Sequence, residues 1–401
     1  MTKRRVNVLL LVDTLKGGGV EEWVKELVRL MDRERFEPTV CYLTDLRYKD
    51  GASYADVIGR YAEVYHIGFG NKLSTGKARS FLHSKSKVRP LLQWLYLPVS
   101  LSHLPALYRI VRKKKIDVIH SFMHYSLVLG AIAGRLCRIP VVYQVTESRA
   151  QLKEGRPSWL FRAMGFLEPH VDVFFTGQAR EELHEAGVPE GKIKPIRGAI
   201  DIEGLLRVPP GENPIADEFS LRGAFPVLLS VGRFTPEKGH VHALDVIKDV
   251  MKDYPDARLI ILGDGWEYEK IKEMVSDLGL SGRALLPGFR ADLENFYSIA
   301  DIYLRTNLVE TGTLSSFRAM AYGLPVVGFK NPAGECIIEG TSGLLVPTGD
   351  SIRMAGAVKT LAKDERLRSA IGEKARAYAE ENLDIRKAIR DFEGEYMRLA
   401  R

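Results

Sequence analysis

Val231-Gly232-Arg233-Phe234-Thr235-Pro236-Glu237-Lys238-Gly239 follows the apolar run Pro226 to Val231 and leads into a helical pattern. An apolar strand that turns through glycine into a helix is the unit from which parallel sheets are built. Arg233 and Lys238, five residues apart at that turn, put two cations where a helix N-terminus already favours anions. Flanked by Gly232 and Gly239, they read as a clamp for a diphosphate. The plainer alternative is a pair of solvated cations at a turn.

The same alternation of strand and helix runs outward through the chain. In the first half, strands are expected at Val6 to Val12, Thr39 to Leu43, Val64 to Ile67, Val118 to His120, Val141 to Val145, Val173 to Thr176 and Lys194 to Ile196. In the second half they are expected at Val227 to Val231, Leu259 to Leu262, Ala284 to Leu286, Ile302 to Leu304, Val326 to Phe329 and Leu344 to Val346. Ile202 to Phe219, rich in Pro, Gly and acidic residues and without a clean period, is read as a linker. The expected fold class is α/β, with two Rossmann-like domains over residues 1–205 and 206–384. A chain of 401 residues with 45% apolar content can bury a core in each. Ligands of open parallel sheets gather beyond the carboxyl ends of the strands, so the chemistry is expected between the two domains.

Cys41, Cys137 and Cys336 show no metal-ligand or disulfide spacing, which points to a reducing cytosol. Met1 to Arg5 lead straight into Val6 to Val12, a run too short for a signal peptide, so this segment is read as the first strand. The net charge of +7 is uneven: eleven basic and no acidic residues lie between Lys72 and Lys115, and the rest of the chain sums to −4. Between the basic clusters an uncharged stretch carries Trp94 and Tyr96 with prolines at 90, 98 and 105, which excludes a spanning helix. Residues 72–115 are either an interfacial segment for an anionic membrane surface or a core helix with solvated basic flanks. No nucleic-acid motif accompanies the charge, and no nucleic-acid partner is expected.

Gly17-Gly18-Gly19-Val20-Glu21 follows the first strand and opens a helix, so the backbone at Gly18 and Gly19 can approach a phosphate or an acceptor. It does not spell G-x-G-x-x-G, and no acidic residue stands at a ribose-binding distance, which disfavours a nicotinamide dehydrogenase.

Read together, these segments resemble the retaining nucleotide-sugar glycosyltransferases of family 4, the glycogen-synthase-like "group 1" superfamily. The resemblance runs from Lys16-Gly17-Gly18-Gly19 to Gly343-Leu344-Leu345-Val346-Pro347. It implies the GT-B fold, two Rossmann-like domains facing across a cleft, with the first binding the acceptor and the second the donor. It also implies that the final helix, within residues 385–401, packs back onto the first domain. Arg233 and Lys238 would hold the nucleotide diphosphate, and with no D-x-D pair in the chain, no metal or other cofactor is expected. Gly232, Gly263 in Gly263-Asp264-Gly265 and Gly288 in Leu286-Pro287-Gly288-Phe289 would shape the nucleotide pocket. Gly312, Thr313 and Leu314 would meet the phosphates, Glu310 the donor sugar, and Glu335 a ribose or sugar hydroxyl. His120 matches a recurrent family histidine, with His124 one turn beyond, although a histidine at a strand end is as often structural.

Two departures stand out. The family pattern places a second glutamate on the ribose diol, where this chain has Arg318; a carboxylate accepts from a diol, whereas a guanidinium only donates. A rearranged ribose site, an unusual donor or loss of transfer activity would each account for it. The family's histidine after the strand Val141 to Val145 is replaced by Thr146 and Glu147, which are assigned to the acceptor side. The implied function is metal-independent, retaining hexosyl transfer from a nucleoside-diphosphate sugar, UDP-linked or GDP-mannose, to a glycan or lipid-linked acceptor. Its expected setting is cell-envelope glycan synthesis, in the cytoplasm or on the inner membrane face. The rivals are a non-catalytic homologue that binds a glycan or partner enzyme, and a nucleotide-sugar 2-epimerase.

Overall fold

The computed structural model describes residues 4–15, 19–45, 53–68, 101–145, 167–176, 180–195, 199–205, 208–309, 314–330 and 337–400. The chain separates into two compact units, Met1–Arg197 with Arg386–Arg401, and Gly198–Ile385.

In the first unit the described elements are β1 (Val6–Thr14), α1 (Gly19–Leu30), β2 (Phe36–Thr44), α2 (Tyr54–Ile58), β3 (Glu63–His66), α3 (Leu104–Lys113), β4 (Val118–Phe122), α4 (His124–Cys137), β5 (Val141–Val145), β6 (Val173–Thr176), α5 (Arg180–Glu185) and β7 (Ile193–Pro195). The strands form one parallel sheet in the order β3-β2-β1-β4-β5-β6-β7. Such a sheet is covered on both faces, which is why its strands read as continuous apolar runs. Leu9 and Leu11 of β1 share one core with Leu107 and Val111 of α3 and Leu127 of α4. The chain's last helix, Ile385–Leu399, packs against this unit through aromatic side chains. Phe392 meets Trp23 and Phe175 with ring centroids 6.3 and 4.5 Å apart, and Glu393 accepts a 2.8 Å bond from the Asp32 N–H.

The second unit contains α6 (Ile215–Glu218), β8 (Val227–Val231), α7 (His240–Val250), β9 (Arg258–Leu262), α8 (Tyr268–Asp277), β10 (Ala284–Gly288), α9 (Leu293–Ile299), β11 (Ile302–Arg305), α10 (Leu314–Ala321), β12 (Val326–Lys330), β13 (Gly343–Pro347), α11 (Ser351–Lys363) and α12 (Glu365–Asn382). Its sheet is also parallel, in the order β10-β9-β8-β11-β12-β13. Side chains alternate between faces. Ile302 and Leu304 join the core that includes Leu244 of α7 and Val358 of α11, while Tyr303 joins Phe296 of α9 and Ala375 of α12.

Ile202 to Phe219, expected as a linker, instead packs on the second unit. Ile202, Leu205, Ile215 and Phe219 belong to its core cluster, and Asn213 donates from Nδ2 to the Asn295 carbonyl at 2.7 Å. Arg290 pairs with Glu218 at 2.6 Å and lies over the rings of Phe219 and Phe296. The segment's apolar residues fill core positions without a regular period, so its composition reads as surface.

The basic segment divides. Residues 72–100, with Trp94 and Tyr96, lie outside the described residues. From Leu104 to Lys113 the core-helix reading holds: Leu107 and Val111 are buried, Arg109, Arg112 and Lys113 are exposed, and Lys114 pairs with Glu63 at 2.5 Å. Among the described residues no helix is long and apolar enough to cross a membrane.

Candidate active site

In the second sheet β8 lies between β9 and β11, so the strand order reverses at the β8–β11 pair. That reversal is where an open parallel sheet offers a ligand crevice at its carboxyl edge. The loops leaving that edge are tied together by their backbones. Gly232 N–H donates to the Leu262 carbonyl at 2.9 Å, Phe234 N–H to Asp264 at 3.0 Å, Gly263 N–H to Gly288 at 3.0 Å and Leu308 N–H to Glu237 at 2.9 Å. Glycine is required at two of these crossings. A Cβ on Gly263 (φ 144°) would lie 1.9 Å from the Gly232 carbonyl oxygen, and one on Gly239 (φ 61°) would lie 2.3 Å from that of Thr306.

Arg233 and Lys238 sit in this layer. Pro236–Lys238 forms a 3-10 turn that Gly239 ends, and α7 begins at once. Thr306 donates from Oγ1 to the Lys238 carbonyl at 2.8 Å. The Lys238 side chain runs past Gly232, where a Cβ would lie 3.4 Å from its Cδ, and the residue is only 8% exposed. Burial, with Arg233 and Arg305 close by, holds the Lys238 ammonium down at about 8, and Glu237 opposes them only in part. Arg233 stays open, with 71% of its side chain exposed, 4.0 Å from Glu237. His240 Nε2 donates to the Arg233 carbonyl at 3.2 Å, and burial pushes that imidazole down to about 4, so it is neutral at neutral pH.

Arg305 was not singled out by the sequence reading. It ends β11, is 3% exposed, and among the described residues none of its three guanidinium nitrogens has a hydrogen-bond partner. The available signal was a charge in register with the buried run Ile302-Tyr303-Leu304, in a strand whose faces are both covered.

Among the other expected residues, Gly288 ends β10 with φ 80°, and Leu314 opens α10 partly buried. Arg318 lies half-buried in α10, close enough to Tyr297 to oppose the rise that burial imposes on that phenol. Tyr297 stacks between Tyr303 and Tyr322, with centroids 6.1 and 5.3 Å away. Gly18, Thr146, Glu147, Glu310, Gly312, Thr313 and Glu335 lie outside the described residues.

In the first unit, His120 is corrected to a core residue. It is fully buried, its Nδ1 is 2.5 Å from the Tyr396 hydroxyl, and its ring stacks on Phe122 at 4.2 Å. Burial lowers it to about 3, so it stays neutral and touches no solvent. The β-strand alternation that buried its neighbours turned it inward under the last helix. Gly19 opens α1, with nothing within 4 Å of a Cβ placed there. His124 opens α4, and its side chain is outside the described part of the structure. At the same helix start Asp13 accepts from the Ser126 N–H at 2.8 Å and the Tyr125 N–H at 3.4 Å, so two of the first amides there already face a carboxylate.

Residues 17–203 match the family model for Glycosyltransferase Family 4, and residues 214–378 match that for Glycosyl transferases group 1. The UDP-Gal:alpha-D-GlcNAc-diphosphoundecaprenol alpha-1,3-galactosyltransferase of Escherichia coli is 25% identical over 275 residues, covering 66% of this chain and 71% of that protein. A Campylobacter jejuni diphospho-undecaprenol-linked 4-alpha-N-acetylgalactosaminyltransferase is 25% identical over 342 residues, 82% and 90% of the two chains. The crystal structure of Anabaena Alr3699/HepE in complex with UDP and glucose superposes with a TM-score of 0.78 at 22% identity, over 98% of this chain and 99% of the other, so the fold is shared. With each parallel-sheet unit matched by one of the two family models, the chain belongs to the family 4, group 1 glycosyltransferases of the GT-B fold.

Proposed function

We propose that this glycosyltransferase moves a hexosyl group from a nucleoside-diphosphate sugar, UDP-linked before GDP-mannose, to an acceptor hydroxyl with retention of anomeric configuration. The observation that carries this reading is Lys238: an ammonium nine-tenths buried, depressed to about 8, beside Arg233 at the strand-order reversal. When the bond between the sugar and the diphosphate breaks, negative charge grows on the leaving oxygens. Preorganised cations there contribute on the order of 10²- to 10³-fold each. The pair takes the place a metal ion would occupy, so transfer is expected to survive chelation.

UDP is favoured because the Escherichia coli relative is named for UDP-Gal and the Anabaena structure holds UDP. Both curated relatives are named for diphosphoundecaprenol-linked sugars, which supports a lipid-linked acceptor in cell-envelope glycan synthesis. Arg318, standing where the family resemblance has a carboxylate, makes the ribose site of this chain a rearranged one. We also propose that, with the apolar side of α3 held in the core, its exposed Arg109, Arg112 and Lys113 lie along an anionic lipid surface without inserting into it. Unchanged binding to anionic vesicles after their joint replacement by alanine removes that assignment.

Thermal unfolding with UDP, GDP, ADP and CMP compounds and their sugars tests the donor reading. A nucleotide at a hundred times its dissociation constant adds about 2.7 kcal/mol. A shift with one nucleotide class that is lost in Arg233→Ala is the expected result, and no shift with any compound favours a non-catalytic homologue.

A further inference from the structure

We propose that Arg305 is a third cation of the donor site and holds an oxyanion of the bound nucleotide sugar, an inference that rests on the donor reading above. A buried arginine that serves packing has its planar fork satisfied by carbonyls or carboxylates, because the group stays charged at all working pH values. Arg305 is 3% exposed, and among the described residues neither a carbonyl nor a carboxylate bonds its Nε or its two terminal nitrogens. Among the described residues nothing supplies the other half of such a pair, which leaves the fork open to a bound anion.

Its position identifies the other half. β8 and β11 flank the reversal of strand order; Arg233 and Lys238 follow the first, and Arg305 ends the second. In the sheet Arg305 pairs with Gly328 of β12. A Cβ on Gly328 would lie 3.3 Å from the Arg305 Cβ, so glycine leaves room beside the base of the arginine side chain. Arg305 is also near enough to Lys238 to disfavour its charged form, and an oxyanion beside the two would favour both charges. A guanidinium with all its donors open matches two oxygens of one group, a geometry that phosphate and carboxylate share. Two sources in a nucleotide sugar offer it: the diphosphate, and an acidic group carried by the sugar.

Arg305→Met, uncharged and unbranched, and Arg305→Lys separate the outcomes. Titration calorimetry uses UDP, UDP-glucose, UDP-glucuronate and inorganic pyrophosphate, and the unfolding temperature of each ligand-free protein is read alongside. The expected result is that Arg305→Met unfolds at a higher temperature without ligand, because an unpaired buried charge has gone, yet binds at least tenfold more weakly. Arg305→Lys recovers only part of the affinity, since an ammonium lacks the two-point fork. A loss shared by UDP and pyrophosphate makes the diphosphate the partner; a loss confined to UDP-glucuronate makes it an acidic sugar. If wild type binds UDP and Arg305→Met binds all four probes equally well, this inference is wrong while the donor reading stands. A lower unfolding temperature with unchanged affinity also overturns it and makes Arg305 structural. If wild type binds none of the four and no nucleotide of the unfolding panel, the donor reading falls and this inference falls with it.

Discussion

Lys238 shows how burial changes the acid–base behaviour of an ordinary side chain. Its ammonium is held at about 8 in the ligand-free protein, and a diphosphate alongside it favours the charged form. Binding above pH 8 therefore takes up a proton. Affinity for UDP is expected to be level below that pH and to fall by up to about tenfold per unit above it. Calorimetry at pH 7, 8 and 9 measures this, and a level profile across the range would show that the lysine does not touch the phosphates. Gly239 and Gly349 make a second comparison at this scale, because both have positive φ, at 61° and 82°, but only the first would drive a Cβ into backbone. Gly349→Ala is expected to cost about 1 kcal/mol of left-handed strain, and Gly239→Ala about 2 kcal/mol or more, as read by urea unfolding. The glycines and the cation pair were legible from local spacing. Arg305 was not, because its meaning depends on which described residues stand around its buried guanidinium in three dimensions.

Among the elements, the last helix ties together distant parts of the first unit. Phe392 touches Trp23 of α1, Phe175 of β6 and His120 of β4, three elements far apart in sequence. Phe392→Ala is expected to destabilise the first unit by about 3–5 kcal/mol, through lost burial and the cavity left behind. An unfolding midpoint unchanged in that variant would mean the helix is not part of the unit's core. The strands were readable because a doubly covered parallel strand is apolar throughout, and each of the expected strands is present with its ends moved by a few residues. Ile202 to Phe219 was misread for the complementary reason. Its core residues obey neither a helical nor a strand period, and what buries them is supplied by residues such as Asn295 and Phe296, far along the chain.

At the level of the whole molecule, each unit hides a neutral histidine, His120 at about 3 and His240 at about 4. Both values lie below the ordinary 6.5 of an unfolded chain. Between about 4 and 6.5 the unfolded chain binds protons that the folded chain refuses, so stability rises with pH across that window and is fully present above it. Each histidine contributes up to about 1.4 kcal/mol per pH unit. Calorimetric unfolding at pH 5 and pH 7 is expected to show both units weaker at pH 5, and equal stability at the two pH values would refute the buried neutral state. A single transition is not assumed, since a chain of two units need not unfold in one step.

Local pattern was enough to establish the two α/β units, their parallel sheets, the glycine-bearing turns and the pair of cations after β8. Each of those follows from interactions within one strand, one turn or one helix start, which a few adjacent residues encode. Three-dimensional packing decided the rest. It turned His120 from a strand-end candidate into a core residue under the last helix, drew 202–219 into the second unit and set Arg305 close to Lys238. Those outcomes depend on which distant side chains meet, and on the partners each buried charge finds or lacks, and neither is written in any local period.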